Sequence, residues 1–159
     1  MLFIDEPTVA RVLHMQDLIP VMRQAMIDFS QGRIQQPARR LIPVQPHGGF
    51  FASMPAAGVS AVGAKLVTFY PRNDEKRLPT HMAMIVLFRP ETGEPMVVMD
   101  GRLITEMRTS AVTAAYIDAV AHPDVKTLAV LGAGTQGSLF RTSAASRTST
   151  LRPTSSRTC

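Results

Sequence analysis

Three glycines stand in the segment Gly132-Ala133-Gly134-Thr135-Gln136-Gly137, directly behind the apolar run Thr127-Leu128-Ala129-Val130-Leu131. Between a strand and a helix, this spacing suits a dinucleotide. The first glycine permits a tight turn, the second lets the backbone approach a pyrophosphate, and the third lets the helix pack close to the strand. The helix N-terminus adds free N–H groups and a partial positive charge facing the phosphates. An ordinary strand-to-helix turn can carry the same glycines without a ligand, but the preceding apolar run favours the nucleotide loop. A full nucleotide-binding unit also uses an amphipathic helix, a second strand and a ribose-selecting residue about 20 positions on. Here Ser138-Leu139-Phe140 runs into a segment that contains no acidic residue.

The other residues with chemical potential are cations. Lys65 sits in Val62-Gly63-Ala64-Lys65-Leu66-Val67-Thr68-Phe69-Tyr70, a strand pattern with one charge among apolar neighbours. Two readings stand. A buried lysine is costly unless paired or used, and burial moves its pKa towards a range useful for proton transfer; a lysine on an edge strand is simply solvated. Arg108, among small residues on a helix, has room for a bidentate grip on a carboxylate, or pairs with a nearby acid on the surface. Arg39 and Arg40 open a strand and read equally well as surface residues. Thr80-His81 closes a proline-containing loop, and a histidine at a strand start is more often structural. No His/Cys cluster has ligand spacing, so no metal is inferred.

Several elements must position these groups. Residues 17–30 carry Leu18, Val21, Met22, Ala25, Met26 and Phe29 at helical spacing, with Asp17 as N-cap, Pro20 in the first turn and Gly32 beyond the end. Residues 40–44, 50–54, 64–70, 82–88 and 96–99 read as strands of a mainly antiparallel or mixed sheet. The last two form a hairpin through Pro90-Glu91-Thr92-Gly93-Glu94. Residues 105–121, rich in small side chains, read as a closely packed helix stopped by His122-Pro123-Asp124. The fold class is therefore α/β: an incomplete mixed α+β domain over 1–124, then the first strand and glycine loop of an incomplete Rossmann domain over 125–140. The segment 141–159 holds five Ser, five Thr and four Arg with one large aliphatic, and is expected to be disordered.

Composition excludes other classes. Four of the five net positive charges sit in that tail, which argues against nucleic-acid binding by the body. No apolar run is long enough to span a bilayer, and the N-terminus does not resemble a signal peptide. The single Cys159 excludes an internal disulfide framework and fits a reducing cytoplasm.

Taken together and in order, Gln36-Pro37-Ala38-Arg39, Met54-Pro55-Ala56, Gly63 through Tyr70, Leu78-Pro79-Thr80-His81, Met99-Asp100-Gly101, Thr105-Glu106-Met107-Arg108-Thr109-Ser110-Ala111 and Leu131 through Gly137 resemble the ornithine cyclodeaminase/mu-crystallin family over about residues 1–138. The resemblance implies a substrate and dimerisation domain beside a Rossmann domain binding NAD or NADP. It implies chemistry at the α-carbon–nitrogen bond of a small amino or imino acid. Arg39 and Arg108 would hold the α-carboxylate, and Lys65 would assist proton transfer. Thr80, Gly132, Gly134, Thr135, Gln136 and Gly137 would meet the cofactor. Intact relatives are expected to be homodimers, and the incomplete dimerisation domain argues against one here. The family's aspartate, the rest of its Rossmann domain and its returning C-terminal segment have no counterpart. The chain is thus expected to be a truncated or frameshifted, inactive N-terminal portion. A non-catalytic crystallin-like binder of ligand and cofactor is the alternative.

Overall fold

The computed structural model describes residues 1–58 and 60–140. Strands β1 (Leu2–Ile4), β2 (Arg40–Val44), β3 (Gly49–Ala57), β4 (Val62–Phe69), β5 (His81–Phe88) and β6 (Pro95–Asp100) form one sheet in the order β1-β6-β5-β4-β3-β2. Every pairing is antiparallel except β1 with β6. The five strands read within residues 40–99 are present, whereas the strand expected at 127–131 is not formed. The three-residue β1 was missed because it is too short to show an alternation. The β5–β6 hairpin closes with Gly93 at φ +73° and its N–H donating to the Arg89 carbonyl at 2.8 Å.

The helices are α1 (Glu6–Val12), α2 (Met15–Ser30) and α3 (Arg102–Val120). Asp5 caps α1, accepting from the Thr8 N–H at 3.0 Å; the Thr8 side chain, then its backbone N–H, hold the Asp5 carboxyl below the usual carboxylate range. Two expectations for α2 need correction. The helix begins two residues early, behind His14, so Asp17 lies in the first turn and is not the cap. Pro20 consequently falls inside the helix, where its missing N–H leaves the carbonyl four residues back without a helical donor. The start of α3 also lies three residues ahead of expectation, because the Asp100 carboxylate accepts from the Arg102 N–H at 2.8 Å. Residues 127–131 are not in a ladder: a parallel strand is defined by its neighbour, and no described residue pairs with them.

By contacts the chain divides into two units. The first comprises Met1–His14 and Gln24–Thr105; the second comprises Met15–Arg23 and the residues from Glu106 onward. The first holds the sheet, with Val9, Ala52 and Val97 its buried apolar residues. It is tied together by Glu6, whose carboxylate accepts from Arg102 Nε at 2.8 Å and from its Nη2. The second packs Ile19 and Phe140 on the small-residue stripe Ala111, Ala114 and Ala115, whose spacing puts all three on one helix face. The segment read as a disordered tail lies outside the described residues.

Candidate functional site

Lys65 occupies β4, an interior strand, so it is not the solvated edge lysine that its sequence context also permitted. Its register partners are Met54 on β3 and Ile85 on β5. Side chains directly opposite share one face of a sheet, so these two apolar neighbours flank the lysine stem. The residue is half-buried, and its Nζ donates to Thr105 Oγ1 at 3.3 Å. Around it opens a cleft of about 540 Å³ whose lining includes Met54, Ala56, Gly63, Ala64, Ile85 and Leu87. Gly63 is fixed there by crowding: a Cβ would lie 2.4 Å from the Val86 carbonyl oxygen.

Asp28 and Arg33 also line this cleft. Asp28 Oδ1 accepts from Arg33 Nε at 3.1 Å, from Arg33 Nη2 and from Gln24 Nε2 at 2.7 Å. The Arg33 guanidinium, then the Gln24 amide, hold the Asp28 carboxyl below the usual carboxylate range. Sequence reading missed this pair and also Thr105. The Asp28–Arg33 spacing of five residues crosses the end of a helix and carries no periodic signal.

Within the first unit, Arg39 and Thr80 stand apart from Lys65. Arg39 is exposed and stands one residue before the β2 ladder, at the level of Met54. That is two strand spacings, about 10 Å, from β4. Thr80 lies just beyond the Phe69–His81 end of the β4–β5 ladder, five registers from Lys65, or about 17 Å along the strand. The Thr80 carbonyl accepts from the Tyr70 N–H at 2.8 Å, and Asn73, buried in the short 3-10 helix Pro71–Lys76, donates to the Pro79 carbonyl at 2.9 Å. These bonds fix the loop leading into β5.

Arg108 and the glycine loop belong to the second unit. Arg108 is half-buried on α3. In the loop each glycine has its own physical reason. Gly132 takes φ +99°, a region that L side chains rarely adopt. A Cβ on Gly134 would meet nothing within 4 Å, so its backbone borders open space. A Cβ on Gly137 would lie 2.5 Å from the Gly132 carbonyl oxygen, so the helical residues 135–140 press directly on the turn. Behind the loop, the hydroxyl of the fully buried Ser110 lies 3.3 Å from both Gln136 Oε1 and the Glu106 carbonyl oxygen, which share its single proton. Among the described residues no group of three or more His, Cys, Asp or Glu could hold a metal, and no helix is long and apolar enough to cross a membrane.

A mixed sheet with a half-buried lysine in one unit, and a Rossmann-type glycine loop opening a helix in the other, define an α/β protein with the start of a nucleotide-binding unit. Residues 2–153 match the Ornithine cyclodeaminase/mu-crystallin family, and the chain belongs to it. Ketimine reductase mu-crystallin of Mus musculus is 41% identical over 124 residues, which are 75% of this chain and 40% of the relative. A Delta(1)-pyrroline-2-carboxylate/Delta(1)-piperideine-2-carboxylate reductase of Azospirillum brasilense is 33% identical over 132 residues, 83% of this chain and 42% of that protein. The structure of Thermococcus litoralis Delta(1)-pyrroline-2-carboxylate reductase, in complex with NADH and L-proline, superposes with a TM-score of 0.85 at 31% identity, covering 92% of this chain and 46% of that one. This chain thus spans about two fifths of the length of the curated relatives it matches.

Proposed function

We propose that the protein is an NAD(P)-dependent oxidoreductase or cyclodeaminase acting on the α-carbon–nitrogen bond of a small amino or imino acid. The observation that carries this reading is Lys65: a half-buried ammonium on an interior strand, held by a hydroxyl, in a cleft walled by aliphatic side chains. Such a group can give or take a proton at a carbon–nitrogen centre. Arg39 and Arg108 are proposed to neutralise the substrate carboxylate, and Thr80, Thr135 and Gln136 to contact the cofactor. The loop supports cofactor binding, because Gly137 draws the helix onto the turn while Gly134 leaves room for a pyrophosphate. When bound, NAD or NADP would supply or accept the hydride. The same proposal assigns residues 1–124 to a substrate and dimerisation domain, 125–140 to the start of the Rossmann domain and 141–159 to a tail. It places the protein in the cytoplasm, with a homodimer at full length and no turnover by the 159 residues alone.

The test is a chain extended to the length of its relatives, assayed with NADH and with NADPH against five- and six-membered cyclic imine 2-carboxylates, and in reverse against diamino and imino acids. Turnover that falls at least about 100-fold in Lys65→Met, with cofactor binding intact, is the expected result. Saturable cofactor binding without turnover of any substrate would replace the enzyme reading with a crystallin-like binder.

A further inference from the structure

We infer that Thr105 is a positioning residue for Lys65, and that the α3 N-terminus is built to place it. This rests on the reading of Lys65 as the proton-transferring group.

A lysine side chain has four rotatable bonds, and a lysine that must meet one atom of a substrate loses most of that freedom. The sheet restrains only the stem, through Met54 and Ile85 on either side. The head is caught from another element: Nζ donates to Thr105 Oγ1 at 3.3 Å across 40 residues of sequence.

Thr105 is itself held by a chain of local contacts. The Gly101 N–H donates to the Ala83 carbonyl at 2.8 Å, tying the start of α3 to β5, the strand beside β4. A Cβ at Gly101 would lie 3.0 Å from Ala83 Cβ and 3.2 Å from Ile85 Cγ1, so a larger residue would push the helix away from the sheet. Asp100 then caps the Arg102 N–H, and Thr105 N–H donates to the Gly101 carbonyl at 2.9 Å. A β-branched threonine in a helix is confined to two χ1 rotamers, so fixing its backbone leaves its hydroxyl two positions, of which this one meets Lys65 Nζ. Met99-Asp100-Gly101 and Thr105 therefore act as one device, with a hydroxyl that accepts from an ammonium at a set point over β4. The other charged groups lining the cleft, Asp28 and Arg33, are already bonded to each other.

The experiment uses the 159-residue chain and needs neither substrate nor cofactor, so its outcome is separable from that of the enzyme reading. Of the three lysines, Lys76 and Lys126 are exposed and serve as internal references. Competitive acylation with trace acetic anhydride across pH, read per lysine by mass spectrometry, gives each amine's titration midpoint and relative rate. Losing a hydrogen bond to a charged group should lower the Lys65 midpoint by up to about one pH unit in Thr105→Val. Thr105→Ser, which keeps the hydroxyl, should restore the parent profile; a role in packing alone would follow side-chain shape and not the hydroxyl. An unchanged Lys65 midpoint in a folded Thr105→Val overturns the proposal. If that variant fails to fold, nitrogen-detected NMR of the parent decides. Slower proton exchange at the Lys65 ammonium than at Lys76 and Lys126 supports the contact, and equal exchange overturns it.

Discussion

The two units hold their chemistry by different means. In the sheet unit, Lys65 owes its place to residues far away in sequence: register partners on β3 and β5, and a hydroxyl on α3. In the second unit the glycine loop is specified within six residues, by one positive φ, one open backbone and one contact too close for a Cβ. Long-range placement spreads its cost over many contacts, each replaceable in part. Local placement concentrates it in single atoms. Substitutions should therefore act sharply and locally in the loop, and more gradually around the lysine.

Two glycine substitutions give the largest expected effects and test whether that distinction holds. Gly137→Ala forces a Cβ to 2.5 Å from the Gly132 carbonyl oxygen, and Gly63→Ala forces one to 2.4 Å from the Val86 carbonyl oxygen. Neither contact is with a side chain that can rotate away, so each should cost about 3 kcal/mol, the upper end for overpacking. Hydrogen exchange read by peptide should separate them. Gly137→Ala should deprotect residues 106–140 and spare β3–β5, and Gly63→Ala should do the reverse. Uniform deprotection by either would show that the units melt as one and break the comparison. Gly134→Ala, facing open space, should leave exchange unchanged while weakening any dinucleotide affinity.

Removing the cap of α3 sharpens the comparison from the lysine side. Asp100→Ala should lower stability by about 1 kcal/mol, typical of a lost hydrogen bond to an end N–H of a helix. It should also shift Lys65 acylation in the direction of Thr105→Val, since the cap sets where Thr105 stands. A stability loss with no change at Lys65 would reduce Asp100 to an ordinary cap.

The same contrast explains what could be read from sequence. The glycine spacing and the five principal strands were legible, because each is written in a short window as a local period. Lys65 was visible only as an anomaly, a charge in an apolar strand. Whether that strand lay inside or at the edge depends on the order of six strands, which no local pattern encodes. Thr105 and the Asp28–Arg33 pair were invisible for the same reason, since hydrogen bonds across 40 residues or around a helix end leave no periodicity. The start of α2 was misplaced because its cap was judged from residue type, Asp17, whereas the helix begins behind His14, which makes no side-chain cap bond. The start of α3 was misplaced because it was read only from the run of small residues, which begins after Arg102.

In the second unit the counterpart of the Lys65–Thr105 bond is Ser110, fully buried on α3 and bonded to Gln136 and the Glu106 carbonyl. Ser110→Ala removes the donor but leaves the exposed Gln136 amide free to bind water, so the expected cost is about 1 kcal/mol or less by thermal denaturation. A much larger loss would mean that the loop relies on this one side chain and is not specified by its glycines, which would undo the contrast.

The smallest effect concerns the ion pair beside Lys65. Because Arg33 and Gln24 depress the Asp28 carboxyl below its ordinary value of 3.8, the folded state binds that proton less readily than the unfolded chain. The pair's stabilisation is then complete above that ordinary value and fades as pH falls through the depressed one. Asp28→Asn should be slightly less stable than the parent at neutral pH, and the gap should close in acid, as followed by urea denaturation at a series of pH values. High salt should narrow the gap as well, since the pair is partly open to solvent. A gap that persists unchanged into acid would mean that the carboxylate contributes shape and not charge. Lys65 would then share its cleft with an Arg33 cation that Asp28 does not balance, and a substrate carboxylate would have a second place to bind.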